Sequence, residues 1–204
     1  MPPREPHPEL LCNLALIGGR GCGKSSIAKR IARRNRNFML FSLDALIRYE
    51  AAGRSIPEIV DQEGWPGFRQ RELEVALKVA AFEREALLDC GGGVVVELDA
   101  QGDEIFSERK VAAIRRHGLV VYLQRDPEYL LARIGGDPNR PALSETRSFF
   151  ELMERRDAWY RKAADLVLAC GAESKRDLAE RVLDWFYENQ SVRADAVAQK
   201  EMSK

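Results

Sequence analysis

The stretch from Gly18 to Ser25 has the residue types and spacing needed to hold phosphate groups. It reads GGRGCGKS and fits the pattern GxxxxGK[ST]. Glycines leave room for phosphate oxygens beside the backbone, and consecutive N–H groups in such a turn form an anion-binding nest. A helix predicted from Lys24 extends the nest with its N-terminus. In this pattern the lysine reaches the β and γ phosphates and the Ser25 hydroxyl suits Mg²⁺, so the stretch predicts a site for ATP and Mg²⁺.

The residues expected to bind the nucleotide lie in this loop or directly after it. They are Gly19, Gly21, Cys22, Gly23, Lys24, Ser25 and Ser26. Two interpretations remain open for Cys22. Its thiol could be acidified by nearby backbone donors and become sensitive to oxidation. The alternative, which we favour, is that a small side chain is needed at this position.

Asp44 is a candidate catalytic residue on the acceptor side. It follows a short apolar stretch, residues 38–41, that is predicted to be a strand. Ligands of parallel α/β proteins bind at the carboxyl ends of strands. Asp44 could therefore accept the proton of a substrate hydroxyl. An N-cap of the following helix is the alternative role, and both roles are compatible.

Arg69 and the triple glycine are candidate substrate-binding elements. Arg69 and Glu72 are three residues apart and so lie on one helical face, where Arg69 could grip a carboxylate and Glu72 could hold it in place. An ordinary surface ion pair is the alternative. The glycines Gly91, Gly92 and Gly93 cost conformational entropy and have no side chain to pack, which indicates a close approach of backbone N–H groups to a ligand.

Three arginines complete the candidate set: Arg133, Arg140 and Arg156. Arg140 lies in the sequence DPNRP, where two prolines exclude a helix interior. We expect residues 135–146 to form a mobile lid, from which Arg140 could close over the transferred phosphoryl group and neutralise its developing charge. A solvated surface position is the alternative for each arginine taken alone.

Short apolar stretches alternate with longer helical ones along the chain. Strands that are apolar throughout are buried on both faces, which predicts an α/β fold with a parallel sheet and helices on both sides. We expect one domain over residues 11–190, between loose tails at residues 1–10 and 191–204. The predicted strands begin at Leu11, Phe38, Leu119 and Leu166, and a further strand is expected to end at Leu87 and Leu88. A long helix is expected from Phe68 to about Ala86, and the last helix from Ser174 to about Glu188.

The composition indicates a cytoplasmic protein that binds neither nucleic acid nor membranes. The chain has 32 basic and 32 acidic residues, so no overall field attracts nucleic acid or anionic lipid. The four cysteines form no CxxC pair, and free thiols fit a reducing compartment. No apolar run approaches the ~20 residues of a membrane span, and the first ten residues do not resemble a signal peptide. We expect a monomer.

The ordered set of motifs resembles the shikimate kinase family over roughly residues 11–188. The stretches that carry the resemblance follow the phosphate loop in the family's order. They are Gly53-Arg54-Ser55-Ile56, Phe68-Arg69-Gln70-Arg71-Glu72, Gly91-Gly92-Gly93, Gly118-Leu119-Val120-Val121-Tyr122-Leu123, Asp137-Pro138-Asn139-Arg140-Pro141-Ala142-Leu143 and Leu152 to Tyr160. Apart from the phosphate loop, each motif is weak alone, but the set is specific.

The resemblance implies a three-layer α/β/α P-loop kinase fold with a five-stranded parallel sheet and a mobile lid. It implies that Asp44 binds the hydroxyls of shikimate and that Arg69 and Arg156 bind its carboxylate, with the three glycines lining the pocket. It also implies that Arg140 lies near the γ-phosphate and Arg133 near the adenine. The catalytic residues are then Lys24, Asp44 and Arg140.

The sequence departs from the family pattern on the acceptor side. The first aspartate of the family's DxD motif, which helps to hold the magnesium waters, is Ser42 here. The other departures are Leu43, Arg48, Trp65 and Ala158. Asp89, at the end of the third predicted strand, could take over the metal role, giving Ser25 and Asp89 as candidate metal residues. The alternative is that Asp89 only ends the strand.

Three functions remain open from the sequence. The leading one is a shikimate kinase, which phosphorylates the 3-hydroxyl of shikimate. A related kinase with another hydroxy-acid acceptor is the second, because the departures alter the acceptor side. The third is a non-catalytic ligand-binding domain. A degenerate site is expected to lose more of its residues than this one has, which argues against the third function. The intact residues are Lys24, Ser25, Asp44, Arg69, Arg140 and Arg156.

Overall fold

A computed structural model describes residues 8–134 and 148–202 of the chain. Within these residues seven strands form. They are β1 (Asn13–Ile17), β2 (Met39–Ser42), β3 (Ala86–Asp89), β4 (Val96–Leu98), β5 (Glu104–Phe106), β6 (Gly118–Gln124) and β7 (Leu166–Ala169). Five of them make one sheet in the order β2-β3-β1-β6-β7, with every neighbouring pair parallel. The predicted five-stranded parallel sheet is confirmed.

Seven helices surround this sheet in the described residues. They are α1 (Lys24–Arg34), α2 (Leu43–Glu50), α3 (Ile56–Val79), α4 (Glu108–Arg115), α5 (Pro127–Ile134), α6 (Phe149–Ala163) and α7 (Lys175–Met202). None of them combines the length and the apolar character that a membrane span needs.

The side chains of β1 alternate between two hydrophobic cores, one on each face of the sheet. Leu14 and Leu16 join the core that contains residues of α1 and α7. Ala15 and Ile17 join the core that contains residues of α2, α3 and α4. Because successive residues of a strand point to opposite faces, a strand between two helical layers is apolar at every position. The predicted three-layer α/β/α fold is confirmed.

The parallel register brings the candidate site residues to one edge of the sheet. Asp89, the last residue of β3, lies beside Leu16 of β1 and beside Ser42 of β2. The phosphate loop follows β1, α2 with Asp44 follows β2, and the triple glycine follows β3. Motifs that are far apart in sequence therefore meet at the carboxyl ends of three adjacent strands, as parallel α/β sheets require.

Two sequence expectations about the helices were wrong. The long helix expected to reach about Ala86 ends at Val79, because β3 begins at Ala86. It is also kinked at Gly64, whose φ of 68° is not helical. The last helix continues past Glu188 to Met202, since residues 189–202 contain neither glycine nor proline and Ala196 and Val197 line a groove with Leu73.

The expected loose start also needs correction at its end. Leu10 is buried in the core at 1% exposure. The Leu11 amide donates to Gln190 Oε1 at 3.0 Å, and Gln190 Nε2 donates to the Glu9 carbonyl at 3.2 Å. Residues 9–11 are therefore attached to α7. Their partner Gln190 lies beyond Glu188, where the last helix was expected to end. The expected lid, residues 135–146, lies outside the described residues.

Candidate active site

A cleft of about 370 Å³ opens at the carboxyl ends of β1, β2 and β3. It brings together most of the side chains predicted from the sequence. Those lining it are Gly21, Lys24, Ser25, Asp44, Arg69, Asp89, Gly91, Gly92, Gly93 and Arg156. The phosphate loop and the predicted acceptor residues therefore share one cavity, which is the arrangement that a direct transfer between two bound molecules requires.

The phosphate loop has the backbone conformation that its glycines predict. Gly21 and Gly23 have φ angles of 86° and 104°, a region that residues with a Cβ rarely adopt. The Ser26 amide donates to the Gly23 carbonyl at 3.1 Å and starts the helical pattern of α1. The amides at the start of a helix have no partner within it and lie in the positive end of its dipole. The turn therefore presents an anion site towards the cleft.

The ammonium group of Lys24 lies over this loop. It is 7% exposed and donates to the carbonyls of Gly18 at 2.7 Å and Gly19 at 3.1 Å, and it is 3.6 Å from the Cys22 sulfur. Cys22 itself is 2% exposed. A cation placed here can turn from the loop carbonyls to phosphate oxygens, and contact of Lys24 with the phosphates stays a prediction.

Asp44 lies in the first turn of α2 with its carboxylate towards the triple glycine. Ser42 is the N-cap of that helix, so the alternative N-cap role of Asp44 was wrong. A methyl group on Gly91 would come within 2.5 Å of Asp44 Oδ1. Burial and the nearby Glu72 carboxylate raise the pKa of Asp44, although Lys24 acts in the opposite direction. A carboxylate with a raised pKa is a stronger base, as proton abstraction from a hydroxyl requires.

Arg69 is held against the triple glycine by two carboxylates and an aromatic ring. Its Nη1 donates to Glu72 Oε2 at 2.6 Å, and its guanidinium carbon lies 5.0 Å from the centre of the Trp65 ring. A Cβ on Gly93 would come within 1.8 Å of Arg69 Nη1. The absence of a side chain at Gly93 therefore makes room for the guanidinium, in addition to any approach of the backbone to a ligand.

Glu72 and Lys110 form a buried ion pair beneath Arg69. Lys110 is 0% exposed, and its Nζ donates to Glu72 Oε2 and to the Gly93 carbonyl, both at 3.0 Å, and also to the Val96 carbonyl. Burial opposes the charge of Glu72, but Arg69 and Lys110 outweigh it and lower the pKa of Glu72. The pair fixes the triple glycine from below, because Lys110 connects α4 to both α3 and Gly93.

Replacing Lys110 by Met is expected to lower the free energy of unfolding by about 3–5 kcal/mol, because Glu72 would become a buried charge with one cationic partner fewer. Two backbone carbonyls would also lose their donor. Denaturant unfolding checks the value. The control is Lys78→Met, which removes an exposed ion pair with Glu50 and should change stability little. A Lys110→Met protein as stable as the control would contradict this role.

Arg156 reaches the cleft from α6. It is 2% exposed and donates through Nε to Glu104 Oε2 at 3.0 Å and through Nη2 to Glu104 Oε1. Glu104 Oε1 also lies 4.0 Å from Arg69 Nη2. The two arginines predicted to bind a carboxylate are therefore adjacent, and an internal carboxylate links them.

Asp89 lies at the cleft edge next to Ser42 and is 7% exposed. It contributes to the electrostatic environment of both Lys24 and Asp44. The carboxylate at the end of β3 is thus beside the position where the family pattern has an aspartate and this chain has Ser42. Within the described residues, no group of three or more His, Cys, Asp or Glu side chains could by itself hold a metal ion.

The remaining predicted nucleotide residues lie outside the cleft or outside the described chain. Arg133 is exposed in the last turn of α5, and its Cβ lies 3.5 Å from the position of a Cβ on Gly21, so it is next to the phosphate loop. Gly19 packs against Leu130, and Ser26 follows Ser25 in α1. Arg140 lies outside the described residues.

Sequence reasoning missed Lys110 and Glu104. Lys110 lies in a helix rich in charged residues, and no sequence pattern distinguishes it from its exposed neighbours. Glu104 belongs to the β4–β5 hairpin, which was not predicted. A turn signal was present, because Asp99 accepts hydrogen bonds from the amides of Gln101 and Asp103 at 3.0 and 2.9 Å, as aspartates in tight turns do.

Comparison with known proteins identifies the family to which this chain is similar. The family model described as shikimate kinase matches residues 20–187. A shikimate kinase from Leptospira biflexa is 37% identical over 175 residues, covering 86% of this chain and 96% of the relative. A shikimate kinase from Dehalococcoides mccartyi is 34% identical over 183 residues, covering 88% of this chain and 97% of the relative.

The solved structures show the same similarity. A shikimate kinase from Acinetobacter baumannii in complex with shikimate superimposes with a TM-score of 0.75 at 28% identity, covering 88% of this chain and 94% of that one. A shikimate kinase from Aquifex aeolicus has the same fold, with a TM-score of 0.69. With the family match over most of its length, this chain belongs to the shikimate kinase family.

Proposed function

We propose that this protein transfers the γ-phosphoryl group of ATP to the 3-hydroxyl of shikimate. The observation that carries the proposal is the convergence of Asp44, Arg69 and Arg156 with the phosphate loop in one cleft. A base and two carboxylate-binding guanidiniums opposite a phosphate site suit a hydroxy acid as acceptor. The similarity to the Acinetobacter baumannii shikimate kinase in complex with shikimate supports the same acceptor.

The residues of the cleft have separate tasks in this transfer. Arg69 and Arg156 hold the acceptor carboxylate, and Asp44 takes the proton of the attacking hydroxyl. The hydroxyl oxygen forms a bond to the γ-phosphorus while the bond to the bridging oxygen of ADP breaks. Lys24 and the loop amides neutralise the charge on the phosphates. Positioning and charge neutralisation account for most of the rate in such transfers.

The residues at the phosphate loop suit a magnesium ion bound together with ATP. The fit rests on Ser25 at the start of α1 and on Asp89, whose buried carboxylate lies at the cleft edge beside Ser42. Mg²⁺ keeps several waters and takes few protein oxygens, so a site with one hydroxyl and one carboxylate is sufficient. When bound, the ion would neutralise charge on the β and γ phosphates.

Replacing Asp89 by Asn is expected to raise the Mg²⁺ concentration for half-maximal activity by about tenfold, because an outer carboxylate partner of a metal site typically contributes that much. The measurement is a magnesium titration at fixed ATP. Asp184→Asn, an exposed aspartate of α7, serves as the matched control. An unchanged magnesium requirement would show that Asp89 only ends β3.

The product identifies the acceptor. We expect incubation with ATP, Mg²⁺ and shikimate to give one phosphate ester, located on the 3-hydroxyl by phosphorus–proton NMR correlation. Arg48 lines the cleft where the family has a glutamate, which keeps a different hydroxy acid open as acceptor. A parallel incubation with other small hydroxy acids tests this: a product formed faster from one of them would overturn shikimate as the substrate.

The proposal includes the setting in which the enzyme works. All four cysteines are free and buried, which supports a reducing compartment, and we infer the cytoplasm. The balanced charge of the chain supports small-molecule partners rather than nucleic acid or membranes. We infer a monomer, which light scattering at assay concentration would test.

A further inference from the structure

Glu104 occupies an unusual place for an acidic residue, between two guanidiniums predicted to bind an acceptor carboxylate. It is the first residue of β5, opposite Leu98 in the β4–β5 hairpin, and its side chain is 11% exposed. Both of its carboxylate oxygens accept hydrogen bonds from Arg156, and one lies 4.0 Å from Arg69 Nη2. Two-oxygen pairing with a guanidinium is the strongest and most directional form of this contact.

The charged groups of the buried cluster under the acceptor side of the cleft can be counted. Asp44 and Arg48, which also line the cleft, have opposite charges and leave the sum unchanged. Arg69, Lys110 and Arg156 are cationic, and Glu72 and Glu104 are anionic, which leaves one positive charge. The side chains of all five are at most 11% exposed. Lys110 donates to three acceptors, which suits an ammonium with its three N–H groups. Without Glu104 the same cluster would hold two positive charges.

Arg69 has a hydrogen-bond donor that no other side chain of the cluster uses. Its Nη1 is paired with Glu72, whereas its Nε is buried and has no hydrogen-bond partner among the described residues. A buried donor without a partner carries a free-energy cost that a bound carboxylate would remove. One carboxylate would therefore satisfy Arg69 and bring the cluster to neutrality.

We propose that Glu104 is a specificity-determining residue, which sets the acceptor cleft to one net positive charge and so selects acceptors with one carboxylate over dianionic acids. The proposal rests on the acceptor location given by the proposed function. A second negative charge beside Arg69 and Arg156 would exceed the one positive charge that this buried cluster has to offer, and an unpaired buried charge is strongly unfavourable. The hairpin thereby provides selectivity without contacting the reacting hydroxyl.

The test compares two probes by calorimetry with the phosphate loop filled by saturating MgADP, so that the loop cannot take a second carboxylate and no turnover occurs. The probes are cyclohexanecarboxylate and cis-cyclohexane-1,2-dicarboxylate, at a pH where all carboxyls are ionised. We expect the wild type to bind the dianion no more tightly than the monoanion. In Glu104→Gln the ratio of the two Kd values should shift towards the dianion by about tenfold, since one nearby charge is removed.

The matched control is Glu97→Gln on the same hairpin. Glu97 accepts a hydrogen bond from Ser107 Oγ at 3.0 Å and lies 3.7 Å from Arg109 Nη1. Unlike Glu104, it forms no ion pair with Arg69 or Arg156 among the described residues. Its ratio of Kd values should equal that of the wild type. The wild-type comparison does not depend on the folding of either variant.

The proposal is overturned if the wild type prefers the dianion by tenfold or more, if Glu104→Gln leaves the ratio unchanged, or if neither probe binds to the wild type. Its failure is distinguishable from that of the proposed function. If shikimate is not phosphorylated while the ratio shifts as expected, the charge selection stands and the acceptor is another monocarboxylate. If shikimate is phosphorylated and Glu104→Gln leaves the ratio of Kd values unchanged, only the proposed role of Glu104 is overturned.

Discussion

Replacing Asp44 by Asn is expected to lower kcat by about 10²- to 10⁴-fold, because the acceptor hydroxyl would lose its general base. The substitution keeps the size of the side chain and its place beside Gly91. KM for ATP should stay close to the wild-type value, since Asp44 is on the acceptor side of the cleft. Steady-state kinetics with shikimate varied at saturating MgATP measure both quantities.

The control is Asp61→Asn, the same substitution at an exposed position of α3. The pH profile adds a second check. A base must be unprotonated to act, so activity is lost as the pH falls through the pKa of Asp44. Because burial and Glu72 raise that pKa, the acid limb of kcat/KM should lie above the usual carboxyl range. A wild-type rate in Asp44→Asn would exclude Asp44 as the base.

Replacing Gly93 by Ala is expected to raise KM for shikimate by about 10- to 100-fold, because displacing a positioning group by about 1 Å costs this much. The added Cβ would lie 1.8 Å from Arg69 Nη1, 2.7 Å from its Cζ and 2.9 Å from Glu72 Oε1. The Arg69 guanidinium must therefore move. KM for ATP should change little, since Gly93 does not contact the phosphate loop.

A double-mutant cycle with Arg69→Ala shows whether the effect acts through Arg69. If it does, adding Gly93→Ala to Arg69→Ala should cause almost no further loss, because the group that it displaces is already absent. Thermal unfolding of each variant separates this from a loss of fold. Fully additive effects would mean that Gly93 affects acceptor binding independently of Arg69, for example through a contact of its backbone amide with the acceptor.

The sequence predicts the central sheet because its signals are local. The stretches at β1, β3 and β6 are short, apolar at nearly every position and bounded by polar residues or glycine, which only a sheet covered on both faces explains. The end of α7 had no such signal. Residues 189–202 are rich in polar helix formers. What extends the helix is the absence of a breaker together with the hydrogen bond from Arg193 to the Arg115 carbonyl.

The site was predictable where a residue type and its neighbours in sequence suffice. Lys24 and Ser25 follow from a contiguous motif, and Asp44, Arg69 and Arg156 follow from their order along the chain. The buried charge network was not predictable. Lys110 comes from α4 and Glu104 from the β4–β5 hairpin, and only the folded chain shows that they pair with the cleft residues Glu72 and Arg156.

Phosphoryl transfer to shikimate is measured by a coupled ADP-release assay with MgATP, with and without shikimate. We expect slow ADP release without shikimate and strong turnover when it is added. The Asp44→Asn variant should lose this turnover and the Asp61→Asn variant should keep it. The contradicting result is ATP binding with a rate of ADP release that shikimate does not change. That outcome would show that the cleft serves another acceptor or no transfer at all.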